Sequence, residues 1–124
     1  MICLSPAQII LIHDDVIGPH ELQGLAVDKS LDGAIDRIDK RIEYGLIINV
    51  YQLAACCASF IAQAYAFNDA NKRTAFATMD TVLALNHIDL VYEAEMAGDI
   101  IIKIVTGRAD ENDLAVWLRH THCE

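Results

Sequence analysis

Proline and aromatic residues are scarce in this 124-residue chain: there are 2 prolines, Pro6 and Pro19, and aromatics make up 6%. A β-sandwich, which needs turn residues at short intervals, is excluded, and long helices are open to everything after residue 20. Cations are scarce too, at 9 Lys+Arg against 18 Asp+Glu, a net charge of −9. A binder of the phosphate backbone needs a clustered basic face, so no polynucleotide binding is expected. Cys3, Cys56, Cys57 and Cys123 form no C-x-x-C pair, which gives zinc or thioredoxin-like chemistry no foothold. Neither G-x-x-x-x-G-K-[ST] nor G-x-G-x-x-G occurs, which excludes a P-loop and a Rossmann site. The start, Met1-Ile-Cys-Leu-Ser-Pro, has no basic residues ahead of its apolar ones, and Asp14 and Asp15 follow soon after. No secretory signal and a reducing, cytoplasmic setting are therefore expected.

What is present is aliphatic: 54% of residues are hydrophobic, mostly Ala, Ile, Leu and Val. That much apolar surface offsets the entropy of ordering the chain, so disorder is excluded, and the length suits one domain over residues 1–124. Six helices are expected, giving an all-α class. Ser5-Pro6 opens the first, with Ser as N-cap and Pro at the first helical position, and Gly18-Pro19 ends it. Pro19 to Asp28 has no helical period and reads as a loop with room for a short strand around Leu25–Val27. Leu31, Ala34, Ile35, Ile38 and Ile42 recur at three- and four-residue steps, a helix over about Ser30–Tyr44 stopped by Gly45. A third helix, Ile47 to Phe67, is apolar nearly all round. Asn49, Gln52, Ser59 and Gln63 interrupt it and no basic flank anchors it, so it reads as a buried central helix and no membrane span is expected. Asn71–Leu85 and Glu93–Val105 follow, and a last helix begins at Asp110, capped with Asp113.

Chemistry concentrates in Ala64-Tyr-Ala-Phe-Asn-Asp-Ala-Asn-Lys-Arg-Thr-Ala75, a dense polar link between two apolar helices. It ends at a helix N-terminus, where free backbone N–H groups and the helix dipole favour an anion. Lys72 and Arg73 add two positive charges there, one a point charge and one a bidentate fork. Asp69 supplies a hard oxygen ligand of the kind Mg²⁺ takes when it also bridges phosphates. Anion grip plus a metal carboxylate suits phosphoryl transfer. From residue types alone, an Asx-rich interhelix turn with solvated cations is favoured over a nucleotide site.

The string Phe67-Asn-Asp-Ala-Asn-Lys-Arg-Thr74 closely resembles the core motif of the Doc toxins, a branch of the Fic protein family. The opening Ser-Pro helix with His13-Asp14 near its end, the Gly-containing loop and the helix–motif–helix centre extend the resemblance over the whole chain. It implies a compact helical fold in which the motif loop joins two central helices and holds nucleotide phosphates. Most Fic proteins transfer AMP to a protein hydroxyl. The Doc branch instead phosphorylates a threonine of elongation factor Tu with ATP, which halts translation and arrests growth. It forms a toxin–antitoxin pair with Phd, whose C-terminal segment folds onto it as a helix. On matching positions the resemblance implies that Asp69 binds Mg²⁺, that Asn71, Lys72 and Arg73 hold the ATP phosphates, and that Phe67 anchors the loop. Lys72, where AMP-transferring relatives carry Gly, and Phe76, where they carry a second arginine, both match the kinase branch.

One position departs. The family places a general-base His two residues before the Phe, and this chain has Tyr65. A phenol with a pKa near ~10 is a poor base at neutral pH beside imidazole at ~6.5, and losing a positioned base costs about 10²–10⁴-fold in rate. The change reads as an inactivating substitution that lets a toxic protein be produced, since Asp69 and Arg73 are kept; a natural pseudoenzyme and a rewired site are the other two readings. An adenylyltransferase and a non-catalytic module binding nucleotide or antitoxin are the alternative functions.

Elsewhere, His13 reads as a hydrogen-bonded core or capping residue, and Cys56 and Cys57 as buried hydrophobes on different sides of a helix. His20-Glu21 is expected to contact the target, and Trp117 and Phe60 to lie in the core. His120, His122 and Cys123 read as a frayed tail rather than a metal cluster, because residues two apart on a helix face away from each other.

Overall fold

The computed structural model describes residues 1–26, 30–90 and 92–122. They form six helices in chain order: α1 (Pro6–Val16), α2 (Leu31–Glu43), α3 (Val50–Ala64), α4 (Asn71–Leu85), α5 (Ala94–Val105) and α6 (Glu111–His122). The all-α class holds, and the described residues contain no strand beyond one isolated antiparallel bridge between Leu25 and Phe67. Leu25 thus marks the expected strand region, while Val27 and Asp28 lie outside the described residues, as does Cys123.

Most helix starts follow from side chains that satisfy orphan N–H groups. Ser5 and Gln8 form a reciprocal capping box at α1, and Ser30 and Asn49 cap α2 and α3. Asp110 and Asp113 exchange backbone-to-carboxylate hydrogen bonds of 2.9 and 3.0 Å at the start of α6. α1 stops at Val16, with Ile17 as its C-cap, just before the Gly18-Pro19 pair.

The largest departure from expectation concerns α3. It runs over Val50–Ala64 and not Ile47–Phe67, because Asn49 caps its start and Tyr65 turns left-handed (φ 49°, ψ 38°) at its end. Phe67 therefore belongs to the loop and not to the helix, and Ile48 lies in solvent.

α3 is nonetheless the axis of the molecule, packed against α2, α4, α5 and α6. Every residue from Leu53 to Ala62 is buried. Ala54, Ala55, Ala58 and Ala62 have no exposed surface, so neighbouring helices approach its backbone closely. The other five helices contribute Ile9, Ile38, Met79, Val82, Leu83, Ile101, Ile104, Leu114 and Leu118 to the same core, all buried. Among the described residues no helix is long and apolar enough to cross a membrane. Phe60 is buried with the guanidinium groups of Arg37 and Arg41 over its ring, while Trp117 is half-buried, its ring edge-to-face with that of Tyr92. The fold thus presents the loop between α3 and α4 on two rigid, closely packed supports.

Candidate functional site

Two left-handed residues bracket that loop, Tyr65 at the end of α3 and Ala70 (φ 63°, ψ 27°) just before α4. Neither is glycine, and each such residue costs roughly 1–2 kcal/mol, a strain that surrounding contacts must hold in place. His13 supplies one of those contacts. Its ring is fully buried, stacks on Phe67 at a centroid distance of 3.8 Å and an interplanar angle of 6°, and its Nε2 donates to the Asp69 carbonyl oxygen at 2.9 Å. Its Nδ1 lies 3.2 Å from Asp14 Oδ1. A core histidine was the expectation; that it positions the loop was not, because the contact spans 56 residues of sequence.

Asn71 supplies a second contact. Its side-chain oxygen accepts from the Phe67 N–H at 3.1 Å and its amide donates to the Phe67 carbonyl at 2.9 Å, closing the loop on itself. The backbone of the α1–α2 connection supplies a third. Ala26 N donates to the Ala66 carbonyl at 2.7 Å, Asn68 N to the Gly24 carbonyl at 3.0 Å, and Asn68 Nδ2 to the Gln23 carbonyl at 2.9 Å. Gly24 sits at φ +85°, a turn that only glycine makes without strain. Phe67 is thereby buried, as an anchor should be.

The opposite face of the loop is open. Tyr65, Asn68, Asp69, Ala70, Asn71, Lys72 and Arg73 line a concavity of about 290 Å³. Among the described residues no side chain caps α4, whose N-cap is Ala70, so the N–H groups of its first turn are offered to the concavity. Asp69 is half-buried, with Oδ1 accepting from Ala70 N at 2.9 Å. Lys72 and Arg73 are exposed. Five of the six residues expected in the site, Tyr65, Asp69, Asn71, Lys72 and Arg73, line this one surface, and Phe67 lies beneath it. Lys72 and Arg73 also border an apolar groove of about 230 Å³ with Phe76, Ala94, Gly98, Ile101 and Ile102.

Glu21 enters the site from the α1–α2 connection. Its carboxylate pairs with the Arg73 guanidinium and also accepts from Gly18 N at 2.8 Å. The Arg73 hydrogen bond, helped by that of Gly18, holds the Glu21 carboxyl below its usual range, so the pair stands at neutral pH. Arg73 also donates to the Val16 carbonyl at 3.4 Å. In sequence Glu21 was a candidate for target contact; in the structure it occupies the arginine expected to grip phosphate. Nothing local in the sequence joins positions 21 and 73.

A family model described as the Fic/DOC family matches residues 3–83, nearly two-thirds of the chain, which takes in α1 through most of α4 and so the whole loop. The chain belongs to the Fic/DOC family. A relative from Escherichia phage P1, named protein kinase doc, is 28% identical over 120 residues, covering 96% of this chain and 94% of the relative. The Fic/DOC match includes both His13 and Glu21, so the two side chains that hold the loop from outside it lie within the family's own extent.

Proposed function

We propose that this Fic/DOC protein has the architecture of a protein kinase that transfers the γ-phosphoryl group of ATP to a threonine of elongation factor Tu. It would act as the toxin of a pair with a Phd-like antitoxin that docks as a helix, and it is silent or attenuated with Tyr65 in place. The observation that carries this reading is the open face of the 65–73 loop. It combines an uncapped helix N-terminus, Lys72, Arg73 and a carboxylate in one concavity, on a chain that aligns end to end with a protein kinase.

The residues fit both ligands. Among the described residues no three of His, Cys, Asp and Glu gather as a metal cage. Among the described residues Asp69 is the one carboxylate lining the concavity, and one carboxylate is what Mg²⁺ needs when phosphate oxygens and water complete its shell. Bound there, Mg²⁺ would neutralise charge between the phosphates. The first-turn N–H groups of α4 and Lys72 hold the phosphate oxygens, and Arg73 joins them on leaving Glu21. The apolar groove beside Lys72 gives the nucleoside end a dry wall. Asn71, spent on Phe67, shapes the loop that presents these groups.

Tyr65 stands at the rim, 44% exposed, where an incoming hydroxyl would meet the phosphates. Its phenol offers a hydrogen bond but is a poor general base beside an imidazole, so the hydroxyl would stay unactivated. Histidine is among the residue types enriched in the left-handed region, so it fits this backbone at least as well as tyrosine.

Intact-mass analysis of elongation factor Tu incubated with ATP, Mg²⁺ and the Tyr65→His variant tests the reading. Addition of a phosphoryl group is expected, together with growth arrest on expression. Addition of AMP would move the protein to the adenylyl-transferring branch. No modification and no toxicity would overturn the enzymatic reading in favour of a binding module.

A further inference from the structure

The residues before α1 carry a feature unrelated to the loop. Cys3 and Cys57, 54 residues apart, bring their sulfur atoms to 3.9 Å. Cys57 is in the middle of α3 and has 1% of its surface exposed, whereas Cys3 is half-buried and can be reached from solvent. The approach is not left to a free end. Asn86, at the C-cap of α4, accepts from Ile2 N and donates to the Ile2 carbonyl at 2.6 and 2.8 Å, and Leu4 is buried in the core. Cys3 is thus pinned on both sides over Cys57. Cys56 is turned elsewhere, its sulfur 3.7 Å from Arg41 Nη1.

We infer that Cys3 and Cys57 form a redox-active dithiol, which a low-molecular-weight disulfide oxidises to an intramolecular bond by way of Cys3. The Cys3 thiolate attacks one sulfur of the oxidant RSSR, forming a mixed disulfide and releasing RS⁻, which takes a proton. Cys57 then gives up its proton and its sulfur attacks Cys3, releasing a second RSH. One disulfide is reduced to two thiols and two protein thiols are oxidised, so the exchange balances. The order follows from access, since only Cys3 can meet the oxidant, and from charge. A hydrogen bond from Cys57 stabilises the Cys3 thiolate and lowers its pKa to about 7, while the same bond, and then burial, push Cys57 up. Bonded sulfur atoms lie about 2 Å apart, so closure asks for a further ~2 Å, within reach of a side-chain rotation in the non-helical segment that carries Cys3. The product staples the N-terminal segment to the axis of the fold.

Oxidised glutathione added to a Cys123→Ser protein provides the test. The expected product has lost two hydrogens, yields a linked peptide joining positions 3 and 57, and melts about 5–10 °C higher until dithiothreitol reverses it. In the same background Cys57→Ser should keep glutathione on Cys3 and show no such rise, while Cys56→Ser should still form the link. The inference is overturned if positions 3 and 57 stay reduced, if the glutathione adduct persists on Cys3 with Cys57 present, if the link forms to Cys56, or if the melting temperature falls. None of these outcomes depends on nucleotide binding.

Discussion

The two faces of the 65–73 loop are built on opposite terms. The inner face, Ala66 and Phe67, is buried, and the backbone there is held from several sides: Phe67 N and O by Asn71, the Ala66 carbonyl by Ala26, and the neighbouring Asp69 carbonyl by His13. The outer face, Tyr65, Lys72 and Arg73, is exposed, and its strong partner among the described residues is Glu21. Positioning and chemistry have been assigned to different sides of the same nine residues. A change on the inner face should therefore act on stability and only then on function, while a change on the outer face should act on function and leave the fold alone.

The largest outer-face effect is expected from Tyr65→His. Phosphoryl transfer should rise by about 10²–10⁴-fold in a kinetic assay, with little change in the melting temperature. Next comes an inner-face change, His13→Ala, which removes the stack on Phe67, opens a void and leaves the Asp69 carbonyl unpaired. Chemical denaturation should show a loss of about 3–4 kcal/mol. His13→Phe keeps the ring and loses the hydrogen bond, so it should cost less, about 1–2 kcal/mol; equal losses would mean that the stack contributes nothing. Asn71→Ala, at the border of the two faces, unclips Phe67 and should cost about 1–3 kcal/mol, with weaker nucleotide binding as a consequence of loop disorder. The smallest effect is expected from Glu21→Gln on the outer face. It frees Arg73, should tighten ATP binding by about 2–5-fold, and should leave the melting temperature almost unmoved, since an exposed ion pair contributes little to folding. Weaker binding in that variant would mean that Glu21 supports Arg73 and does not compete for it.

The helices were legible because their signals are local: Ser5-Pro6, Ser30 and Asn49 sit beside the N–H groups they cap, and α2 repeats at three- and four-residue steps. The ends of α3 were not, because the apolar pattern runs on from Ile47 to Phe67 through residues that leave the helix. Its C-terminus is set by a left-handed Tyr65, a conformation that no property of tyrosine announces. The outer face of the site was legible as a string of polar residues at a helix start. His13 and Glu21 were legible as a core histidine and a target contact but not as supports of the loop, and the Cys3–Cys57 approach was not legible at all. Each depends on a contact made across more than 50 residues, which periodicity and spacing do not carry.

The central claim is that the phosphate site is assembled and that only the group at position 65 keeps it silent. Titration calorimetry of ATP with Mg²⁺ into the Tyr65 protein and into the Tyr65→His variant tests it most directly. Binding of the two should agree within about threefold, and Arg73→Ala should weaken both by about tenfold or more, as befits a lost charge-assisted contact. Absence of binding to the Tyr65 protein, with binding restored by His, would contradict the account, because position 65 would then be building the site and not merely working in it.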